Sequence, residues 1–254
     1  MPCRADEPCV PASSPKSDLL AVNAQTLDQL QGHLSGALGP EIGVAVSNVS
    51  GNPQSLYPEE WRAVAKAVSK RQQEFAAGRH AARVAMRGIG LSDMAIPCNA
   101  DRSPAWPTGL TGSISHSRSV CVVVVGREKD IEAIGIDIEE QIPIEHDLWP
   151  TICSQQELAL MDRTNEAARG LMVTRIFSAK EAFYKWQYPQ TKRFLDFHDV
   201  AIEIDTSRSA FMARCLVDQA PLSRLSRMNG NSLSLLDFFI SIVKGRFSPS
   251  KEPI

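Results

Sequence analysis

Apolar and acidic side chains alternate along Ile134-Gly135-Ile136-Asp137-Ile138-Glu139, the period of a β-strand. The isoleucines must face a core, which forces Asp137 and Glu139 onto one common side. The unbroken run Val122–Val125 reads as a strand buried on both faces. Segments 112–126 and 131–139 are expected to be neighbouring strands, joined by the charged turn Arg127-Glu128-Lys129-Asp130. Further strands are expected at Ile42–Val46, Val200–Ile204, Ala210–Val217 and Phe238–Val243. A weak helical pattern covers Leu19–Leu38, and Pro58-Glu59-Glu60 opens a helical region that reaches about Gly88 and breaks near Lys70. Residues 151–187 read as mainly helical, whereas 91–112 carry proline, glycine and asparagine in the manner of a loop. The pattern predicts an α+β chain in two halves, 18–126 and 127–247, between disordered tails at 1–17 and 248–254. No repeat relates the two halves by eye.

At 254 residues, 43% hydrophobic and 22% charged, the chain has the composition of an ordinary globular protein. A net charge of -2 removes any global electrostatic case for nucleic acid or membrane as partner. Charge is local instead: between Trp61 and Gly90 there are seven basic residues and one acid, Glu74. The six cysteines match neither a zinc ribbon nor a CxxC pair. No apolar run has the length of a membrane span, and the N-terminus lacks a secretory apolar segment, so a cytoplasmic protein with free thiols is expected.

Candidate chemistry falls on four segments. Asp137 and Glu139 are either a solvent-facing strand end or a rigid pair of metal ligands. In Phe177–Trp186, the helical stripe Phe177, Lys180, Glu181, Tyr184 and Lys185 would ordinarily be apolar, yet three of the five positions are charged. Glu181 and Lys185 form either a surface pair one turn apart or half of a site. If strand and helix meet, three carboxylates and an ammonium converge, and a hard divalent ion relieves the repulsion among the acids. On the basic helix, Arg79 falls within the apolar face of Phe75, Ala82, Met86 and Ile89, while Arg83 and Arg87 adjoin His80. A partly buried arginine calls for an anion or a carboxylate. In Gly112-Ser113-Ile114-Ser115-His116-Ser117, Ser115 and His116 suit a phosphate contact, a strand end or, without a GxSxG elbow, much less a nucleophile.

Taken in order, Arg71–Gly90, Arg102–Pro107 (RSPAWP), Gly112–Ser117 (GSISHS), Gly135–Glu139 (GIDIE) and Phe177–Lys185 (FSAKEAFYK) resemble the 4′-phosphopantetheinyl transferases, specifically the larger enterobactin-type and surfactin-type class. The resemblance spans roughly residues 40–200. It implies a pseudo-two-fold monomer of two similar α/β halves, with coenzyme A in the cleft between them. It implies transfer of the 4′-phosphopantetheine arm to a serine of an apo acyl or peptidyl carrier protein, with adenosine 3′,5′-bisphosphate as by-product. Magnesium, or manganese in its place, would be held by Asp137, Glu139 and Glu181. Lys185 would sit at the pyrophosphate, and Glu181 would also serve as general base, directly or through water. Arg79 and His80 match positions around the 3′-phosphate, Arg102 and Pro104 the loop flanking the adenine nucleotide, and Ser115 and His116 the serine-histidine pair near the 3′-phosphate. Lys180 belongs to the motif without an assigned contact. Carriers of secondary metabolism, siderophores included, fit the enterobactin-type likeness. Two rivals are a magnesium-dependent nucleotide hydrolase, which lacks a Walker-type loop here, and a coenzyme A binding module without turnover.

Overall fold

A computed structural model of the chain describes residues 22–161, 165–217 and 227–245. The expected tails at 1–17 and 248–254 lie outside them. Asn23 caps the first helix, α1 (Ala24–Leu38), accepting from Thr26 N–H at 2.8 Å. The chain continues through β1 (Ile42–Asn48), the short α2 (Pro58–Trp61), the long α3 (Ser69–Gly88), β2 (Leu110–His116) and β3 (Val120–Arg127). Then come β4 (Ala133–Glu140), two short helices α4 (Trp149–Ile152) and α5 (Gln155–Met161), and the 26-residue α6 (Glu166–Thr191). Four strands finish the described chain: β5 (Val200–Asp205), β6 (Ala210–Cys215), β7 (Met228–Leu235) and β8 (Phe238–Gly245). Among the described residues no helix is long and apolar enough to cross a membrane.

Two antiparallel sheets result, ordered β1-β3-β2 and β4-β8-β7-β6-β5. The expectation that 112–126 and 131–139 would be neighbouring strands is refined in two ways. Ser117–Ser119 turn the first segment into the β2–β3 hairpin, and β4 leaves that sheet to pair with β8. The charged turn therefore carries the chain from one sheet to the other. β7 had no counterpart in the sequence reading, because its polar Asn-Gly-Asn-Ser stretch gives only a weak alternation.

The hydrophobic alternation was sound. Val122 and Val124 enter a central core with Ile134, Ile136, Ile138, Ile240, Ile242 and the α1 leucines. Val123 and Val125 face the opposite way, into the core beneath α3. A third core lies beneath α6. The inner faces of the sheets thus share one core, while α3 and α6 each cover an outer face.

The two halves repeat a plan. In each, a first strand leads to a long helix, and the last strand returns antiparallel beside the first, with the penultimate strand next outward. Both first strands carry a glycine where the helix comes closest. A Cβ on Gly43 would stand 2.0 Å from Ala85 O, and one on Gly135 would stand 2.1 Å from Ala182 O. Only a residue without a side chain allows that approach.

A buried ion pair repeats as well. Glu60 receives Arg83 Nη1 at 2.8 Å, Tyr57 N–H at 2.9 Å and Ile96 N–H at 2.9 Å. Glu157 receives Lys180 Nζ at 2.9 Å, Ser154 N–H at 2.7 Å and Ile202 N–H at 2.8 Å. In each half the carboxylate caps its own short helix, pairs with a base 23 positions later and holds the chain leaving the long helix. A buried charge so fully partnered fixes geometry more than it adds net stability.

Candidate active site

The site forms where the edge strand of one sheet meets the edge strand of the other. No backbone ladder joins β2 to β4. Serines at alternating positions, all on one face, make the join with their hydroxyls. Ser113 Oγ accepts from Ile136 N–H at 3.1 Å, and Ser115 Oγ donates to Asp137 Oδ1 at 2.8 Å. Beyond the strand end, Ser117 and Ser119 each donate to Glu140 Oε1 at 2.9 Å. The Gly-Ser-Ile-Ser-His-Ser motif is therefore a seam between the halves. His116 faces away from that seam, its Nδ1 lying 3.2 Å from Ser117 O.

From the other side α6 supplies Lys185. Its ammonium lies 2.6 Å from Asp137 Oδ1 and 2.8 Å from Ser115 Oγ, closing a three-cornered contact of ammonium, carboxylate and hydroxyl. Burial alone would lower the lysine pKa, but Asp137 and Glu181 outweigh it and hold the group charged. Asp137 is buried, and its second oxygen, Oδ2, has no hydrogen-bond partner. Glu181, also buried, lies one helical turn before Lys185.

Glu139 completes the group. Burial, then the charge of Asp137, raise its carboxyl; Lys185 opposes them, Glu140 and Glu181 add to them, and the result is about 9. Strand and helix thus meet at Asp137 and Lys185, and the charges of Glu139 and Glu181 act on that pair. Among the described residues no three His, Cys, Asp or Glu side chains are gathered as a finished metal cage. Yet the donors are all hard oxygens, one buried oxygen is unpartnered, and burial and acidic neighbours push the carboxyl of Glu139 up. That set fits a hard divalent cation.

The remaining expected residues lie elsewhere. Arg79 is buried on α3, its guanidinium over the Phe75 ring at 4.0 Å, with Nε donating to Ile96 O at 2.7 Å and Nη2 to Cys98 Sγ at 3.4 Å. Burial lowers its pKa. It braces the loop after α3 at Ile96 and Cys98. His80 is exposed on the same helix. Arg83, read as adjoining His80, is the buried partner of Glu60, and Arg87 pairs with Asp93 at 2.7 Å. Arg102 and Pro104 sit in a small hairpin in which Cys98 bridges Pro104 and Asn99 N–H donates to Ser103 O at 2.9 Å. Arg102 is exposed and left-handed at φ 64°.

Lys180 gains the contact that the motif alone did not assign. Besides Glu157 it donates to Ile152 O at 2.9 Å and Phe197 O at 2.8 Å, so its place in the motif is structural. Sequence reasoning also missed Asp101 and Tyr188, whose side chains meet across the halves at 3.1 Å. No signal short of the fold would have paired a loop aspartate with a helical tyrosine so distant in sequence.

Residues 59–126 match the 4′-phosphopantetheinyl transferase N-terminal domain, and residues 133–231 match the 4′-phosphopantetheinyl transferase superfamily. The chain is 36% identical over 187 residues to the 4′-phosphopantetheinyl transferase PptT of Mycobacterium tuberculosis, a span of 71% of this chain and 82% of the relative. It is 33% identical over 182 residues to the 4′-phosphopantetheinyl transferase Svp of Streptomyces mobaraensis, covering 68% and 71% respectively. Enterobactin synthase component D of Salmonella typhi is 39% identical over a shorter 120 residues, 46% of this chain and 48% of the relative. With the matched segments covering both halves, and a relative 36% identical over 71% of the chain, the chain belongs to the 4′-phosphopantetheinyl transferase family.

Proposed function

We propose that this chain transfers the 4′-phosphopantetheine arm of coenzyme A to a serine of an apo acyl or peptidyl carrier protein, releasing adenosine 3′,5′-bisphosphate. The observation that carries this reading is the meeting of Asp137, Glu139, Glu181 and Lys185 at the seam of the two halves, with Asp137 Oδ2 unpartnered. Asp137, Glu139 and Glu181 would hold magnesium. When bound, the ion supplies positive charge beside the diphosphate of coenzyme A.

The chain's own groups do the rest. Lys185, kept charged by its acidic neighbours, stabilises the negative charge that grows on the departing nucleotide phosphate. Glu181 accepts the proton of the carrier serine hydroxyl, directly or through one water. The serine oxygen bonds to the β-phosphorus as the bond from that phosphorus to the bridging oxygen breaks. Arg79, His80, Arg102, Pro104, Ser115 and His116 form the nucleotide side of the cleft. Arg79 acts there by bracing the loop at Ile96–Cys98. The motifs favour carriers of secondary metabolism, siderophore assembly among them.

Intact-mass spectrometry of an apo carrier protein, incubated with this protein, coenzyme A and magnesium, tests the reading. A mass gain equal to one phosphopantetheine, lost on adding EDTA, is expected. No gain on any of several unrelated carriers, together with no binding of coenzyme A, would overturn it.

A further inference from the structure

Glu181, Lys185 and Tyr188 follow one another along α6 at intervals of four and three residues, which keeps them on one face of the helix, and Lys192 caps its C-terminal end. The first two reach the acidic site. Tyr188 and Lys192, about 10 Å farther along the axis, reach a different target in the other half. Tyr188 Oη donates to Asp101 Oδ2 at 3.1 Å, and Lys192 Nζ lies 3.4 Å from the same oxygen.

The other oxygen of Asp101 works within its own loop. Oδ1 accepts from Ser103 N–H at 2.9 Å and from the Ser103 hydroxyl. Ser103 Oγ in turn receives Asn99 Nδ2 at 3.0 Å, and Arg102 N–H donates to Asn99 O at 2.9 Å. This closed set holds Arg102 at its left-handed φ of 64°, a conformation uncommon for a residue with a side chain. Burial would raise the Asp101 carboxyl, but the bonds from Ser103 and Tyr188 and the charge of Lys192 hold it at about 2. It is a carboxylate throughout the neutral range.

We propose that Asp101 is a positioning residue for coenzyme A, its two oxygens shaping the Arg102–Pro104 turn and clasping that turn to Tyr188 on the helix that carries Glu181 and Lys185. This rests on the functional reading above, in which the turn flanks the adenine nucleotide. One carboxylate thereby sets the distance between the nucleotide side of the cleft and its reacting end. Removing it frees the turn without touching the reacting atoms, so its loss weakens coenzyme A binding and spares the chemical step.

The test measures carrier modification with Asp101→Asn, Tyr188→Phe and the double variant, with Asp205→Asn as a matched control. Asp205 makes a similar serine-bonded turn at the β5–β6 connection, outside the cleft. Asp101→Asn is expected to raise the KM for coenzyme A about tenfold, as loss of charge-assisted hydrogen bonds implies. kcat at saturating coenzyme A and the KM for the carrier stay at wild-type values. Tyr188→Phe should raise the same KM by less, and the double variant should be no worse than Asp101→Asn, because both remove one clasp. An unchanged KM for coenzyme A in folded Asp101→Asn, or an equal loss in kcat, overturns the inference while the functional reading stands. If wild-type protein neither binds coenzyme A by calorimetry nor turns over, that reading fails and the inference with it. Should Asp101→Asn not fold, Tyr188→Phe decides alone, since it removes only a hydroxyl.

Discussion

Lys185 Nζ stands 2.6 Å from Asp137 Oδ1, and that contact ties the long helix of the second half to its first strand at the point where a serine from the first half also arrives. The pair therefore does two things: it fills one oxygen of Asp137, and it leaves the other, Oδ2, buried and without a partner.

Asp137→Ala should abolish carrier modification while the protein remains folded by circular dichroism. Lys185→Ala should lower kcat by about 10²–10³, the usual cost of removing one donor to developing charge. Ser115→Ala is milder, about tenfold, since Lys185 still holds Asp137. Full activity of Asp137→Ala at saturating magnesium would remove Asp137 from the site.

Two charged residues of the same helical motif should separate cleanly. Lys180→Met leaves Glu157 buried without its cation and should lower the unfolding free energy by about 3–5 kcal/mol. Glu181→Gln, which keeps the size of the side chain, should cost much less unfolding free energy than Lys180→Met and eliminate turnover. Paired chemical denaturation and activity measurements check this, and a stable but inactive Lys180→Met would give Lys180 a catalytic part instead.

The glycines beneath the two helices should be intolerant to the same degree. Gly43→Ala and Gly135→Ala both drive a methyl into a helix carbonyl, at 2.0 and 2.1 Å. Each should cost about 1–3 kcal/mol or more in urea denaturation. A neutral result at either would mean that the helix can lift away from its strand.

Glu139 gives metal binding a pH signature. Its carboxyl is raised from 4.5 to about 9 in the folded protein. Between those values the folded state binds more protons than the unfolded state, so this group makes the metal-free protein lose stability as pH rises through that window. Magnesium held by the acids should release a proton near pH 7.5 and flatten the dependence. Calorimetric titrations in buffers of different ionisation enthalpy report that proton directly, and a binding heat independent of buffer would contradict it.

Much of this arrangement was legible from alternation and spacing. The isoleucines of β4 dictate which way Asp137 and Glu139 face, and α6 presents Glu181 and Lys185 together. The duplication was not legible. Its matching positions preserve geometry and exchange chemistry: Arg83 answers Lys180, Val84 answers Glu181, and Ala45 answers Asp137 when the strands are aligned on Gly43 and Gly135. What persists is a carboxylate receiving two backbone amides and one base, a relation between residues far apart in sequence that no local pattern records. The serine seam was hidden for a similar reason, because SISHS reads equally well as a strand end until β4 is placed beside it.

The same alignment has a consequence for stoichiometry. A symmetric pair of such halves would present two acidic centres related by the pseudo-dyad. Here the first half offers Ala45, Ser47 and Val84 where the second has Asp137, Glu139 and Glu181, so the acids lie on one half alone. The chain is two unequal versions of one plan, and a calorimetric titration is expected to saturate at one coenzyme A per molecule.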